Sequence, residues 1–429
     1  MFTNQTYLSK TALALRTDKI SPEQYVNDLC KIIEKNDPHV KALIPENNRH
    51  KRLLADVKLL KKQFPDPEKR PPLFGIPVGV KDIIYTDGFE TKAGSDLPGK
   101  LFKGEEASVV KKLKEAGALI LGKTVTTEFA YFEPGDTRNP HNTEHTPGGS
   151  SSGSAAAVSG GFTPLAIGTQ TIGSIIRPAA YCGIIGFKPS FDRIPIDGVI
   201  PFSVSVDHLG IFTQDIDGID LAASVICNDW QPEFNVDRKP IIGAVIGDYL
   251  NQAEPEIIAF FEKEIEDLTE KGFKIKRINP FDNIKEINEK HQNMNAFEFS
   301  KVHKKWFNKH EELYKNKTKE LILKGKDVKK DHVKTAKKGR IELRNQIEKS
   351  KEKNQIDIWL TPATTSVAPK GMQTGSPLMN LPWTYSGLPA ITFPAGKSKN
   401  NLPIGLQIAG SFNKDEEMIA FAKIINIIQ

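Results

Sequence analysis

Cysteine is scarce in this chain, and long hydrophobic runs are missing. Only Cys30, Cys182 and Cys227 occur in 429 residues. They show no metal-ligand spacing and their odd number leaves one over, which speaks against a disulfide framework or a zinc module. A reducing cytoplasm is the expected location. No stretch nears the roughly 20 apolar residues of a membrane helix, so no membrane partner is expected. Between Met1 and Ile20 the charges Lys10, Arg16 and Lys19 surround only a short apolar patch, Thr11 to Leu15. That patch is too short for the core of a secretion signal. The nine histidines are scattered, and no metal site or cofactor motif is readable. Internal repeats and flexible linkers are missing as well.

What is present is an ordinary globular composition, 38% hydrophobic and 26% charged, with enough apolar surface for a large core. The length suits two or three average domains, or one large α/β domain. The net charge of +6 is unevenly placed. Lys301 to Lys353 holds 19 basic and 8 acidic residues, so the rest of the chain is net negative. That segment has neither Gly-flanked aromatics nor a zinc-finger pattern. A solvated helical face explains it better than nucleic-acid contact.

Ser21-Pro22-Glu23 reads as an N-cap followed by proline at the first helical position, with Tyr25, Leu29, Ile32 and Ile33 at helical spacing behind it. Val109, Val110 and Leu113 form the inner face of a helix ending at Gly117, and Ala118 to Gly122 a short buried strand. Ile241 to Ile246 is a second strand candidate. Glu254 to Lys271 is an amphipathic helix that stops at Gly272. The Lys-rich stretch up to Lys353 predicts two or three helices with solvent on one side. Ile356 to Leu360 predicts a buried strand, Leu402 to Ala409 another, and Glu416 to Ile428 a final amphipathic helix. This alternation predicts the α/β class, a central mixed sheet covered by helices on both faces. One domain over 1–429 is expected, with a helical excursion at about 280–350.

The chemistry gathers between Thr146 and Pro178. Two serine-and-glycine clusters lie there, Gly148-Gly149-Ser150-Ser151-Ser152-Gly153-Ser154 and Thr169-Gln170-Thr171-Ile172-Gly173-Ser174, the second leading into Ile175-Ile176-Arg177-Pro178. Upstream, the run Gly75-Ile76-Pro77-Val78-Gly79-Val80 ends at Lys81-Asp82. A lone glycine-serine stretch would match any flexible linker. Two clusters at this spacing, preceded by the lysine motif, resemble the amidase signature family, serine hydrolases with a Ser-Ser-Lys triad and no histidine. The likeness is dense over 70–210. It continues more thinly over 355–430, at Trp383 to Ile391 and Pro403 to Gln407.

The resemblance implies a nucleophile at Ser174. The backbone N–H groups of Thr171, Ile172, Gly173 and Ser174 would face the oxyanion, where fixed donors suit developing charge. A serine hydroxyl needs a base. His141 and His145 lie in a polar loop, and Lys81, leaving an apolar strand, suits the task better because burial disfavours its ammonium form. Ser150 lies twenty-four residues before Ser174. This resembles the spacing of the family's second serine, which sits on a cis peptide and relays the proton. Ser151 and Thr169 are expected beside this centre as supporting or substrate-contacting residues, and Ser152 and Ser154 in capping or packing.

Two departures stand out. Much of the family has Asp where this chain has Gln170, and Arg where it has Ile176. Arg177 instead lies three positions after Ser174, an arrangement resembling malonamidase-type enzymes, in which an arginine at this position is implicated in holding a substrate carboxylate. A planar guanidinium suits that; the alternative is an arginine pairing an internal acid. Ile172 replaces a residue usually Gly or Ala, and its branched side chain is expected to crowd the pocket. Three readings follow. The first is a metal-free amidase releasing ammonia from a small amide, which the Arg177 arrangement allows to bear a carboxylate. The second is the A subunit of a tRNA-dependent amidotransferase. The third is a binding protein with a relic site, disfavoured while Lys81, Ser150 and Ser174 all remain. The sequence leaves a homodimer open and implies no nucleic-acid partner and no cofactor.

Overall fold

A computed structural model of the chain describes residues 1–232 and 234–428; residues 233 and 429 of the expected domain lie outside the described residues. Ten strands form one sheet: β1 (Pro77–Lys81), β2 (Leu119–Thr124), β3 (Leu165–Gln170), β4 (Ile185–Lys188), β5 (His208–Thr213), β6 (Ile241–Val245), β7 (Lys274–Ile278), β8 (Ile358–Pro362), β9 (Ala390–Lys397) and β10 (Pro403–Ala409). Their order is β2-β1-β3-β5-β4-β9-β10-β8-β6-β7. β1 runs parallel to β2 and β3, and β6 parallel to β7 and β8, while the middle of the sheet pairs antiparallel. The mixed sheet expected from the sequence is therefore two parallel flanks around an antiparallel centre.

The helices are α1 (Leu8–Arg16), α2 (Pro22–Val40), α3 (Arg49–Gln63), α4 (Ser108–Glu115), α5 (Ser152–Ser159), α6 (Ile176–Tyr181), α7 (Ile216–Ile226), α8 (Pro255–Glu270), α9 (Ile284–His310), α10 (Asn316–Asp327), α11 (Lys330–Lys353), α12 (Leu381–Ser386) and α13 (Asp415–Ile428). Strand side chains alternate between faces, and β3 shows which helices cover each. Ala166 joins a cluster with Ala155 and Val158 of α5 and Ala179 of α6. Leu165 and Ile167 join the larger core with Val109 of α4, Ile219 of α7 and Met418 of α13. Helices thus cover both faces, as the near-continuous apolar strands require.

The helix predicted from Ser21 begins as expected, with Ser21 Oγ accepting from Gln24 N at 3.3 Å. The Lys-rich stretch folds into α9, α10 and α11, all packed together through α9. Their buried faces carry Phe299, Phe307, Ile322 and Leu343, and the lysines point outward. Among the described residues, no helix is long and apolar enough to cross a membrane.

Candidate active site

β1 and β3 are parallel neighbours, with Val80 level with Ile167, so their C-terminal ends open at the same place. Clefts at the carboxyl ends of parallel strands are where α/β folds assemble sites. Lys81 closes β1, and Thr169-Gln170 closes β3. Lys81 is fully buried, and its Nζ lies 2.7 Å from Ser150 Oγ and 2.8 Å from Thr169 Oγ1. It makes no ion pair among the described residues. Burial holds its amine well below the ordinary lysine range; the charge of Asp207 opposes that shift and Arg177 adds to it. A neutral amine has a lone pair and can take a proton from a hydroxyl beside it.

Ser150 follows a cis peptide bond, Gly149–Ser150. Gly148 has φ +80° and sits so close to Pro178 that an added Cβ would meet its Cα at 2.9 Å; only glycine tolerates both conditions. Arg177 Nη2 donates to Gly149 O. These contacts clamp the first serine-glycine cluster onto the second. Ser174 follows β3 at the turn into α6 and is buried. Gly173 stands against Asn380, whose Oδ1 would collide with an added Cβ.

Ser151 and Thr169, expected as supporting or substrate-contacting residues, both make hydrogen bonds within the protein around Lys81 and β3. Ser151 Oγ lies 3.2 Å from Thr169 O and 3.3 Å from Thr169 N, which ties the start of α5 to β3. Thr169 Oγ1 is taken up by Lys81. Ser154 packs as expected, with its Oγ 2.7 Å from Thr124 Oγ1. His141 and His145 bond the backbone carbonyls of Cys182 and Ala368, away from Lys81.

Gln170 explains how the chain manages without the family's usual acid there. Its Oε1 accepts from Ile175 N at 2.7 Å and Ile176 N at 3.0 Å, and its Nε2 donates to Thr384 Oγ1 at 2.9 Å. A carboxylate could accept but not donate. Arg177 is fully buried, and among the described residues no carboxylate lies within 4.0 Å of it. Its Nε and Nη1 have no protein partner there, and burial pushes its pKa down to about 10. The internal acid that the sequence allowed is therefore not what holds it.

A cavity of about 440 Å³ opens beside this centre, with Ile172, Tyr131, Phe132 and Phe202 among its apolar lining. Phe132 also lies under the Arg177 guanidinium, 5.9 Å from ring centre to Cζ. Ile172 was expected to crowd the pocket. It lines the cavity wall, and α9 and α10 contribute Asn295, Leu321 and Lys324 to the same lining. Sequence reasoning missed this contribution, together with Asp207, whose carboxylate accepts from Thr171 Oγ1 at 2.5 Å, and His291, whose Nε2 lies 3.0 Å from Thr171 O. The mixed Ser-Val stretch before Asp207 and one histidine among the three of a lysine-rich helix carried no local signal. No group of three or more His, Cys, Asp or Glu that could hold a metal occurs among the described residues.

Residues 24–419 match the amidase family. The chain is 31% identical, over 454 aligned positions, to the A subunit of the glutamyl-tRNA(Gln) amidotransferase of Staphylococcus aureus, covering 92% of this chain and 91% of that one. A crystal structure of an amidase superposes with a TM-score of 0.89 at 26% identity, covering 98% of this chain and 99% of the other. The peptide amidase of Stenotrophomonas maltophilia shares the fold, with a TM-score of 0.82 at 24% identity over 99% of this chain and 96% of its own. The chain belongs to the amidase family and is a hydrolase acting on amide C–N bonds.

Proposed function

We propose that the protein hydrolyses a small carboxamide to acid and ammonia through an acyl-enzyme on Ser174. The observation that carries this reading is the buried Lys81 amine, without an ion pair among the described residues, 2.7 Å from Ser150 Oγ. Ser174 Oγ attacks the amide carbon while its proton passes to Ser150 Oγ and the Ser150 proton passes to Lys81 Nζ. The resulting oxyanion is met by the N–H groups of residues 171–174. Collapse breaks the C–N bond, and the proton returns along the same route to the leaving nitrogen. Water then attacks the acyl ester and restores Ser174. The Nε and Nη1 of Arg177, without a partner among the described residues, support a substrate carboxylate in that corner, since a buried guanidinium without an anion is costly.

The same reading takes the chain as one cytoplasmic domain, with α9 to α11 as part of it, because α9 and α10 help to wall the cavity. A second reading is favoured by the 31% identity to the Staphylococcus aureus amidotransferase protein: the same centre would release ammonia from glutamine for a partner protein. Incubating the purified chain alone with a panel of small amides, glutamine included, and measuring ammonia separates the two. Release from small amides without partners supports the first. Release only from glutamine, and only with partner proteins added, would replace it.

A further inference from the structure

Resting on the reading of 171–174 as the oxyanion loop, the structure assigns His291 and Thr384 as the positioning residues that aim its two inner N–H donors. A trans peptide unit is planar, with its C=O and N–H pointing in opposite directions, so fixing the carbonyl fixes the amide hydrogen. His291 Nε2 lies 3.0 Å from Thr171 O. A carbonyl only accepts, so Nε2 carries the hydrogen, and this bond turns the Ile172 N–H away from α9. Thr384 Oγ1 lies 2.7 Å from Ile172 O, against 3.1 Å from Asn380 O. Gln170 Nε2 donates to that same hydroxyl, which leaves the hydroxyl hydrogen for Ile172 O and fixes the Gly173 N–H. Among the described residues, neither the Ile172 N–H nor the Gly173 N–H donates to a backbone or side-chain acceptor. Both remain available.

A core histidine needs only one satisfied nitrogen, and a bond to any nearby carbonyl would do. Here two successive carbonyls of one loop are each taken by a side chain from a different helix, α9 and α12. The imidazole is held in place, with Tyr385 edge-on at 5.5 Å and the Asn295 amide nitrogen 3.3 Å from its ring nitrogens. Burial lowers its pKa to about 3, so the ring stays neutral. α9 belongs to the Lys-rich excursion, and His291 is the point where that segment grips the loop before Ser174.

The test compares His291→Phe and Thr384→Val with the rescue variants His291→Gln and Thr384→Ser, which retain a donor. Two quantities are read: kcat and KM for the best amide of the panel, and the rate at which a fluorophosphonate labels Ser174, whose phosphoryl oxygen takes the oxyanion's place. Misaimed donors are expected to lower kcat and labelling rate by about tenfold to 10³-fold, the upper end matching outright loss of a donor. KM should stay within about twofold, since the lost interaction belongs to the transition state. Gln and Ser should restore most of both rates. Unchanged kcat and labelling in folded His291→Phe and Thr384→Val would overturn the assignment. So would equal losses in the rescue variants accompanied by a lowered Tm. Thr384→Val removes a single hydroxyl and decides the matter if His291→Phe does not fold. A wild type that hydrolyses no amide would sink the amidase reading alone, because the labelling rate still reads the loop. Labelling at another serine would sink the site and this inference together.

Discussion

Lys81 Nζ and Ser150 Oγ lie 2.7 Å apart in the interior, where, among the described residues, the amine bonds only hydroxyls and pairs with no carboxylate. An ammonium in that position would give up its hydration for two neutral oxygens, so burial favours the free amine.

Activity should therefore rise with pH as Lys81 loses its proton, along a limb set below the ordinary lysine range. Lys81→Ala is expected to lower kcat by about 10²–10⁴-fold, the usual weight of a positioned base, and to remove that limb. His141→Ala and His145→Ala should leave both unchanged, because each ring bonds a backbone carbonyl away from the centre. A pH–rate profile of the four proteins checks this; a histidine substitution as damaging as Lys81→Ala would end the histidine-free scheme.

Ser174 should be the residue that carries the acyl group. A fluorophosphonate is expected to label it, as peptide mapping by mass spectrometry would show. Ser174→Ala should abolish labelling and turnover together. Adding Ser150→Ala to Lys81→Ala should cost little more than the worse single change, because the three act as a unit. Multiplying losses would separate them.

Much of this was legible in the sequence because the segments that carry the candidate catalytic residues are local and compositionally odd. Lys81 closes an apolar run, and a strand carries it into the interior. The serine-glycine clusters lie at close-packed turns such as Gly148 against Pro178. The helix from Ser21 and the strand from Ile241 followed from capping and apolar runs alone. The order of the ten strands was not legible, since nothing local tells β4 to pair with β9, far along the chain. His291 and Asp207 were missed for the same reason. Each acts on Thr171 from a distant segment, and neither sits in a pattern that periodicity can read.

Lys188 offers a pH test of stability independent of catalysis. It is fully buried on β4, with Nζ donating to Leu388 O at 2.6 Å and Pro189 O at 3.0 Å. Burial pushes its amine down to about 7, whereas in the unfolded chain it titrates at about 10.4. Below about 7 both states hold the proton and the penalty is constant. Between about 7 and 10 the unfolded chain binds one proton more than the folded one, so stability rises with pH by up to about 1.4 kcal/mol per unit. Wild type should gain on Lys188→Met between pH 7 and pH 9.5 in urea unfolding, Lys81 cancelling because both proteins contain it. A difference that does not change with pH would show that Lys188 keeps its proton.

Arg177 is expected to select for a carboxylate on the substrate. Its guanidinium has one nitrogen on Gly149 O and two without a partner among the described residues, so the two roles can be separated by substitution. Arg177→Lys keeps a positive donor for Gly149 O but gives up the fork. It should raise KM steeply for malonamate while leaving the neutral butanamide within about twofold. Arg177→Ala should harm both amides, since the clamp on the Ser150 loop goes as well. For malonamate the further loss should be on the order of 2–5 kcal/mol, as expected when a charge is left buried without its partner. Steady-state kinetics of the two amides with the three proteins decides the matter. If Arg177→Lys lowers turnover of both amides equally, or lowers Tm with selectivity unchanged, then Arg177 only braces the loop. The carboxylate-bearing substrate class would then be abandoned and the amidase reading kept.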